Sequence, residues 1–239
     1  MNATKFLKSS YVGAMRGARG LARATGLLAA LELRPDRRAH WLRSLFAIHD
    51  IDAMVALDVP WWSYDAIDAV EAFLAVREQA QIFEYGSGAS TVWAARRAAS
   101  VVSVEHDAIW HSIVARKLDG FGNATLELVP PDSETHADFL SRKQGSAGRS
   151  FRAYVTAIER HDGPFDLIVI DGRSRVACLR QSLTHLAPGG MIVFDNSGRA
   201  EYRAALAALE GESQTLRGRV PSLPYRDQTT LIRPGVTVT

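Results

Sequence analysis

Residues 81–107, QIFEYGSGASTVWAARRAASVVSVEHD, constrain what this chain can fold into more than any other stretch. A short apolar run, Ile82-Phe83, ends in Glu84 and meets Gly86-Ser87-Gly88. Ser90 and Thr91 follow as helix starters, and a helical stretch runs from Val92 to Ala99. A second β-type run, Val101-Val102-Ser103-Val104, ends in Glu105. Strand, glycine turn, helix, strand and acid, in that order, make the first half of a nucleotide-binding α/β fold.

Each glycine, having no Cβ, lets the backbone turn sharply and lets a ligand approach the main chain. The helix that follows offers unpaired N–H groups at its start. Glu105, closing the second strand, is placed to accept hydrogen bonds from two ribose hydroxyls. Phosphate is not indicated. The third glycine position of the dinucleotide fingerprint holds Thr91, and no Gly-Lys-Ser/Thr loop occurs. A nucleoside without phosphates suits the pattern better.

A second block, Phe165–Gly198, reads FDLIVIDGRSRVACLRQSLTHLAPGGMIVFDNSG. Its first strand, Asp166–Ile170, is nearly all apolar, as expected of a strand covered on both faces, and runs into Asp171-Gly172. A helix with Val176, Leu179, Leu183 and Leu186 on one face follows, then a strand over Met191–Phe194 that ends in Asp195-Asn196. In a parallel α/β sheet ligands bind at the carboxyl ends of strands. Glu84, Glu105, Asp171, Asp195 and Asn196 all fall on that edge, which would be a poor way to build a core.

The run Glu84-Tyr85-Gly86-Ser87-Gly88, with Glu105 closing the next strand, resembles motif I and the ribose-binding acid of class I S-adenosylmethionine-dependent methyltransferases. The second block is similar to the fourth strand, helix and fifth strand of the same family, including the Leu-x-Pro-Gly-Gly turn. The resemblance covers roughly the last three quarters of the chain and rests on two blocks in the right order. It implies a Rossmann-like α/β fold: a seven-stranded, mostly parallel sheet with an antiparallel last strand, helices on both faces and an N-terminal helical extension. It also implies S-adenosylmethionine as cofactor. The contacts expected for it are Glu84, Tyr85, Gly86, Ser87, Gly88, Ser90, Thr91, Glu105, His106, Asp132 and Asp171.

Within that family, the chain is similar to catechol- and caffeoyl-coenzyme-A-type O-methyltransferases at Asp171 and at Asp195-Asn196, positions that hold a divalent cation in those enzymes. All three donors are oxygen, which suits Mg²⁺, and such a metal would lower the pKa of an acceptor oxygen. The chain departs from the family where a lysine base is expected, having Gly172-Arg173-Ser174-Arg175 instead. Arginine stays protonated, so it is a poor base but a good fork for a carboxylate or phosphate. Asp171 and Arg173 are the catalytic candidates, with Arg175 and the aromatic Trp61, Trp62 and Tyr64 as candidate acceptor contacts. The bland readings are a helix cap for Asp171, a turn for Asp195-Asn196 and a packed hinge for the two tryptophans.

Charge is uneven. Residues 1–50 carry nine Lys/Arg against Glu32, Asp36 and Asp50, while the whole chain carries only +2. This leaves an N-terminal segment that is either a solvated helical face or a contact for an anionic partner such as membrane headgroups. The sequence divides into a basic helical extension, residues 1–59, and a catalytic domain, 60–239, with residues 1–20 read as poorly ordered. A single Cys178 excludes an intramolecular disulfide, and no apolar run reaches the ~18–20 residues of a membrane span. A cytoplasmic enzyme is expected, with peripheral membrane contact through the N-terminus as an option, no specific nucleic-acid binding, and a small-molecule, sugar or glycolipid acceptor methylated on oxygen. Two alternatives stay open: an NAD(P)-dependent oxidoreductase, disfavoured by Thr91, and a non-catalytic, membrane-associated nucleoside-binding protein. The polar segment 132–150 reads as a functional loop, a lid or an adenine contact.

Overall fold

The structure, a computed structural model, describes residues 3–48, 50–143 and 145–235. Four helices come first: α1 (Ala3–Ala24), α2 (Leu27–Glu32), α3 (Arg37–Leu45) and α4 (Ile51–Leu57). After α5 (Tyr64–Ala75), strands and helices alternate: β1 (Gln81–Tyr85), α6 (Ala89–Ala95), β2 (Ser100–Glu105), α7 (Ala108–Ala115) and β3 (Ala124–Leu128). Then come α8 (Arg152–Val155), β4 (Phe165–Ile170), α9 (Arg175–Leu183), β5 (Leu186–Asp195) and α10 (Ala200–Ala207). The strands β6 (Gly211–Arg219) and β7 (Arg226–Pro234) end the described chain.

The sheet has seven strands, the number the resemblance implied, in the order β3-β2-β1-β4-β5-β7-β6. β1 to β5 are parallel, and β7 lies antiparallel to both β5 and β6. The chain order reverses between β1 and β4, which opens a crevice at their carboxyl ends where an α/β sheet binds its ligand.

Alternation along each strand divides the core in two. Ile82, Val101, Leu167, Val169 and Val193 face α4–α7, joined by Trp62, Trp93 and Phe73. Phe83, Tyr85, Val104, Ile168, Ile170 and Phe194 face the other way, against Phe151, Tyr154 and Ile158. Cys178 is fully buried on this second side, and burial pushes its thiol far up, so it packs rather than reacts.

The N-terminal third differs from its sequence reading. Residues 3–24 form one helix where poor order was expected, because no proline interrupts the chain before Pro35. Gly26, at φ +74°, breaks it from α2. The helix α4, with Asp50 capping it through Ala53 N–H, was not foreseen. This extension shares the main core: Ala47, Met54 and Leu57 pack with Trp62 and Trp93, and Trp41 Nε1 donates to Leu223 O at 3.1 Å.

Candidate active site

At the β1–β2 end, Glu84 lies inside its strand and is 1% exposed. Its Oε1 accepts from Ser90 Oγ at 2.5 Å, and Oε2 accepts from Thr91 Oγ1 at 2.5 Å and Ser103 Oγ at 2.7 Å. Thr91 Oγ1 in turn accepts from Gly88 N–H at 3.0 Å. Burial pushes the Glu84 carboxyl up to about 7, and the three hydroxyls work against that shift. The residue braces the glycine loop onto β2 instead of meeting a ligand. Glu84, Ser90 and Thr91 are therefore corrected from cofactor contacts to loop supports, because a carboxylate this deep must take its donors from its immediate surroundings. Tyr85 is also fully buried, its hydroxyl donating to Val155 O at 2.7 Å.

The glycines serve packing first. Gly86 has φ +97°, and a Cβ there would stand 2.8 Å from the Gly172 backbone. A Cβ on Gly172 would stand 2.0 Å from Tyr154 Oη. The turns after β1 and β4 thus touch through two residues without side chains. Gly88, at φ 176°, is extended backbone with open space where a Cβ would go, its nearest neighbour being Ser90 Oγ at 3.8 Å.

Glu105 closes β2. Its Oε1 accepts from His106 N–H at 2.6 Å and Asp107 N–H at 2.8 Å, and His106 Nδ1 stands 2.6 Å from the same oxygen. Among the described residues Oε2 is held by Ser87 N–H and Oγ alone, at 3.3 and 3.2 Å, which makes it the looser oxygen. Burial raises the Glu105 pKa, but contact with His106 and the Asp107 N–H outweighs it and leaves the carboxylate below its usual range. Trp110 Nε1 donates to Ser87 O at 2.8 Å and fixes the loop from α7.

The β4–β5 end is charged. Arg175, 2% exposed, reaches back from the first turn of α9. Its Nη2 donates to Asp171 Oδ1 at 2.5 Å and Asp171 O at 2.8 Å, its Nε to Gly172 O at 3.2 Å, and its Nη1 to Asp195 O. Asp195 Oδ1 accepts from Thr229 Oγ1 at 2.8 Å. Burial, reinforced by the Asp171 carboxylate, drives the Asp195 pKa upward. Asn196, at φ +49°, donates through Nδ2 to Asp227 Oδ2 at 3.0 Å and accepts at Oδ1 from Arg199 Nη2 at 2.8 Å.

This arrangement does not fit a divalent cation. Arg175 takes Asp171 Oδ1, Arg199 takes Asn196 Oδ1 and Thr229 takes Asp195 Oδ1. A guanidinium already supplies the positive charge that a metal would bring. No group of three His, Cys, Asp or Glu side chains placed to hold a metal occurs among the described residues. Arg175, expected to meet the acceptor, spends its donors on the protein.

Between the two ends lies a cavity of about 380 Å³, at the lower end of small-molecule pockets. Gly86, Ser87, Glu105, His106, Asp171, Arg173, Arg175, Asp195, Asn196 and Trp61 line it. Trp62 does not: it is 1% exposed and stacks edge-on against Trp93 at 5.5 Å. Tyr64 is buried beside His40, its hydroxyl 2.8 Å from Nδ1. Asp132 accepts from Ser150 Oγ and from the N–H groups of Arg152 and Ala153, so it caps α8 and closes the loop 132–150. These three are corrected from ligand contacts to structural residues.

The cavity also gathers residues that the sequence reading missed: Ile48, Trp110, Lys143, Ser222 and Leu223. Lys143 reaches it from the loop after β3, and its ammonium forms no hydrogen bond or ion pair among the described residues. Burial, with the Arg173 guanidinium nearby, lowers the Lys143 amine to about 8. Trp110 lies five residues beyond Glu105 on a capped helix, a signal that could have been read. Lys143 carried no local signal.

Residues 83–197 match a family model described as a methyltransferase domain. No curated protein matches the chain by sequence. Among solved structures, a methyltransferase-like protein from Silicibacter pomeroyi is 21% identical, with a TM-score of 0.48 over 73% of this chain and 89% of its own. Precorrin 8w decarboxylase from Methanobacterium thermoautotrophicum is 18% identical, with a TM-score of 0.49 over 72% and 90%. An rRNA methylase from Streptococcus thermophilus is 13% identical, with a TM-score of 0.49 over 69% and 93%.

Proposed function

We propose an acceptor type and a catalytic arrangement for a reaction whose class is known: the chain belongs to the class I S-adenosylmethionine-dependent methyltransferases. The acceptor atom is an oxygen of a small molecule, and transfer proceeds without a divalent metal. The observation that carries this reading is the cationic β4–β5 end of the cavity, where Arg175 and Arg199 donate to Asp171 Oδ1 and Asn196 Oδ1, two of the oxygens a metal would use.

S-adenosylmethionine, when bound, supplies an electrophilic methyl group on a sulfonium. Glu105 Oε2, held loosely by Ser87, accepts the ribose hydroxyls. His106, Asp107 and Trp110 wall the cofactor end. The acceptor oxygen enters beside Arg173 and Lys143. Arg173, always protonated, stabilises negative charge on that oxygen, and the neutral fraction of Lys143 takes its proton. The oxygen then forms its bond to the methyl carbon as the carbon–sulfur bond breaks, leaving S-adenosylhomocysteine. Burial around Trp61 and Leu223 keeps water from competing.

Calorimetric titration of S-adenosylmethionine and S-adenosylhomocysteine, with and without Mg²⁺, tests the proposal. Micromolar binding that Mg²⁺ leaves unchanged is the expected outcome. Binding or turnover that requires Mg²⁺ would overturn the metal-free arrangement.

A further inference from the structure

A second cavity, of about 1010 Å³, runs between the loop 137–148, α9 and α10. It shares Lys143, Gly172, Arg173 and Arg175 with the first, so the two meet at the β4 turn where the acceptor oxygen is expected. The methyl-transfer chemistry leaves this larger space unused.

Its composition follows from the sequence of the walls. α10 presents Ala204, Ala205 and Ala208, whose short side chains leave the gap between the helices unfilled. Leu140, Val176, Leu179, Leu183 and Leu209 give the rest of the walls an apolar character. Leu183 stands 36% exposed on this face, so apolar surface is open to water in the unliganded protein, a standing cost that a ligand would relieve. Arg142, Lys143, Arg173 and Arg180 add positive charge to the lining, against Asp138 and Glu201, and Arg173 Nε donates to Ser146 Oγ at 3.3 Å.

We propose that this groove binds the body of the methyl acceptor, and that the acceptor is a small amphiphile: an apolar acyl or similar chain ending in a weakly acidic hydroxyl, whose proton Lys143 takes and whose oxyanion decanoate imitates. The chain lies along α9 and α10, and the acidic group sits at the junction against Arg173 and Lys143, facing the methyl donor. A sugar or a cationic amine fits neither the leucine walls nor the basic junction. The inference rests on the methyl-transfer reading above.

The test is calorimetric titration at pH 7 of the full chain with decanoate, and with 1-decanol as its neutral counterpart, in saturating S-adenosylhomocysteine. Decanoate should bind at least tenfold more tightly than decanol. Ala205→Trp, which fills the groove, should weaken decanoate at least tenfold while leaving S-adenosylhomocysteine affinity unchanged. Ala204→Glu, at an exposed helix position that tolerates substitution, should do the same by adding a carboxylate, and it carries the test if the tryptophan variant fails to fold. Arg173→Gln should narrow the gap between acid and alcohol. The proposal falls if S-adenosylhomocysteine binds and decanoate does not, or if both groove variants bind decanoate like the wild type. Failure of S-adenosylhomocysteine to bind at all would instead sink the methyl-transfer reading.

Discussion

At the β1–β2 end of the cavity hydroxyls and N–H groups hold the carboxylates; at the β4–β5 end a guanidinium holds the Asp171 carboxylate and the peptide oxygen of Asp195. Glu84 takes three hydroxyls and Glu105 takes N–H groups and a serine. Apart from Ser103 on the neighbouring strand, these donors lie within a few residues of the loop they brace, and the arrangement leaves Glu105 Oε2 available to a polar, uncharged ligand edge. Asp171, Asp195 and their turns instead close around Arg175, and Asn196 is held by Arg199. One end is organised to receive hydroxyls and the other to carry positive charge. Edges of the same sheet, ending in the same residue types, thus acquire different chemistry from what their neighbours donate.

The comparison can be broken most forcefully at Arg175. Arg175→Met leaves Asp171 without its partner and removes the donor that Arg175 gives to three peptide oxygens, and should cost about 3–5 kcal/mol of stability, read from urea unfolding. A loss below about 1 kcal/mol would mean that the guanidinium is dispensable and the end less charged than drawn.

Lys143 sharpens the contrast next. Lys143→Met should lower kcat about 100-fold with little change in S-adenosylhomocysteine affinity. In the wild type the rate should rise with pH through about 8, because the neutral amine is the active form. The folded pKa lies below the ordinary 10.5, so between those values the unfolded chain binds more protons and stability should rise with pH. With only four lysines in the chain, NMR titration of isotopically methylated amines, compared with Lys143→Met, reads this pKa directly. A value near 10.5 would remove it as the base.

Glu105→Ala probes the neutral end and should weaken S-adenosylhomocysteine binding by about 1–3 kcal/mol. Glu84→Ala, by contrast, should act chiefly on stability, since its carboxylate is held by Ser90, Thr91 and Ser103 inside the fold. Equal effects of the two on affinity would erase the distinction between ligand contact and loop brace. The smallest effect expected is that of Mg²⁺: titration with the ion, or with EDTA, should leave cofactor affinity within twofold. A larger response would return Asp171, Asp195 and Asn196 to the role of metal ligands.

Much of this was open to reading in the sequence. The glycine turn and Glu105 are adjacent in a strand–turn–helix unit, so local pattern placed them on the ligand edge. The apolar strands and the Pro-Gly-Gly turn marked β4 and β5. Other residues misled for a shared reason. Glu84 and Asp132 look like ligand contacts because they end strands or open loops, yet each found donors within the protein. Trp62 and Tyr64 sit beside Trp61 in sequence, but the bend before α5 and the start of that helix place them in the core.

The sequence by itself therefore marked the strands, the turns between them and the carboxyl-rich edge, because periodicity, glycine turns and caps act over a few residues. Tertiary structure alone decided which charges meet across that edge. Arg175 and Arg199 could have faced solvent or a substrate, and Lys143 comes from a loop 28 residues before Asp171. Whether an oxygen is free to bind a metal, or already spent on an arginine, depends on which long side chain packing brings within 3 Å of it. Spacing along the chain carries no record of that choice.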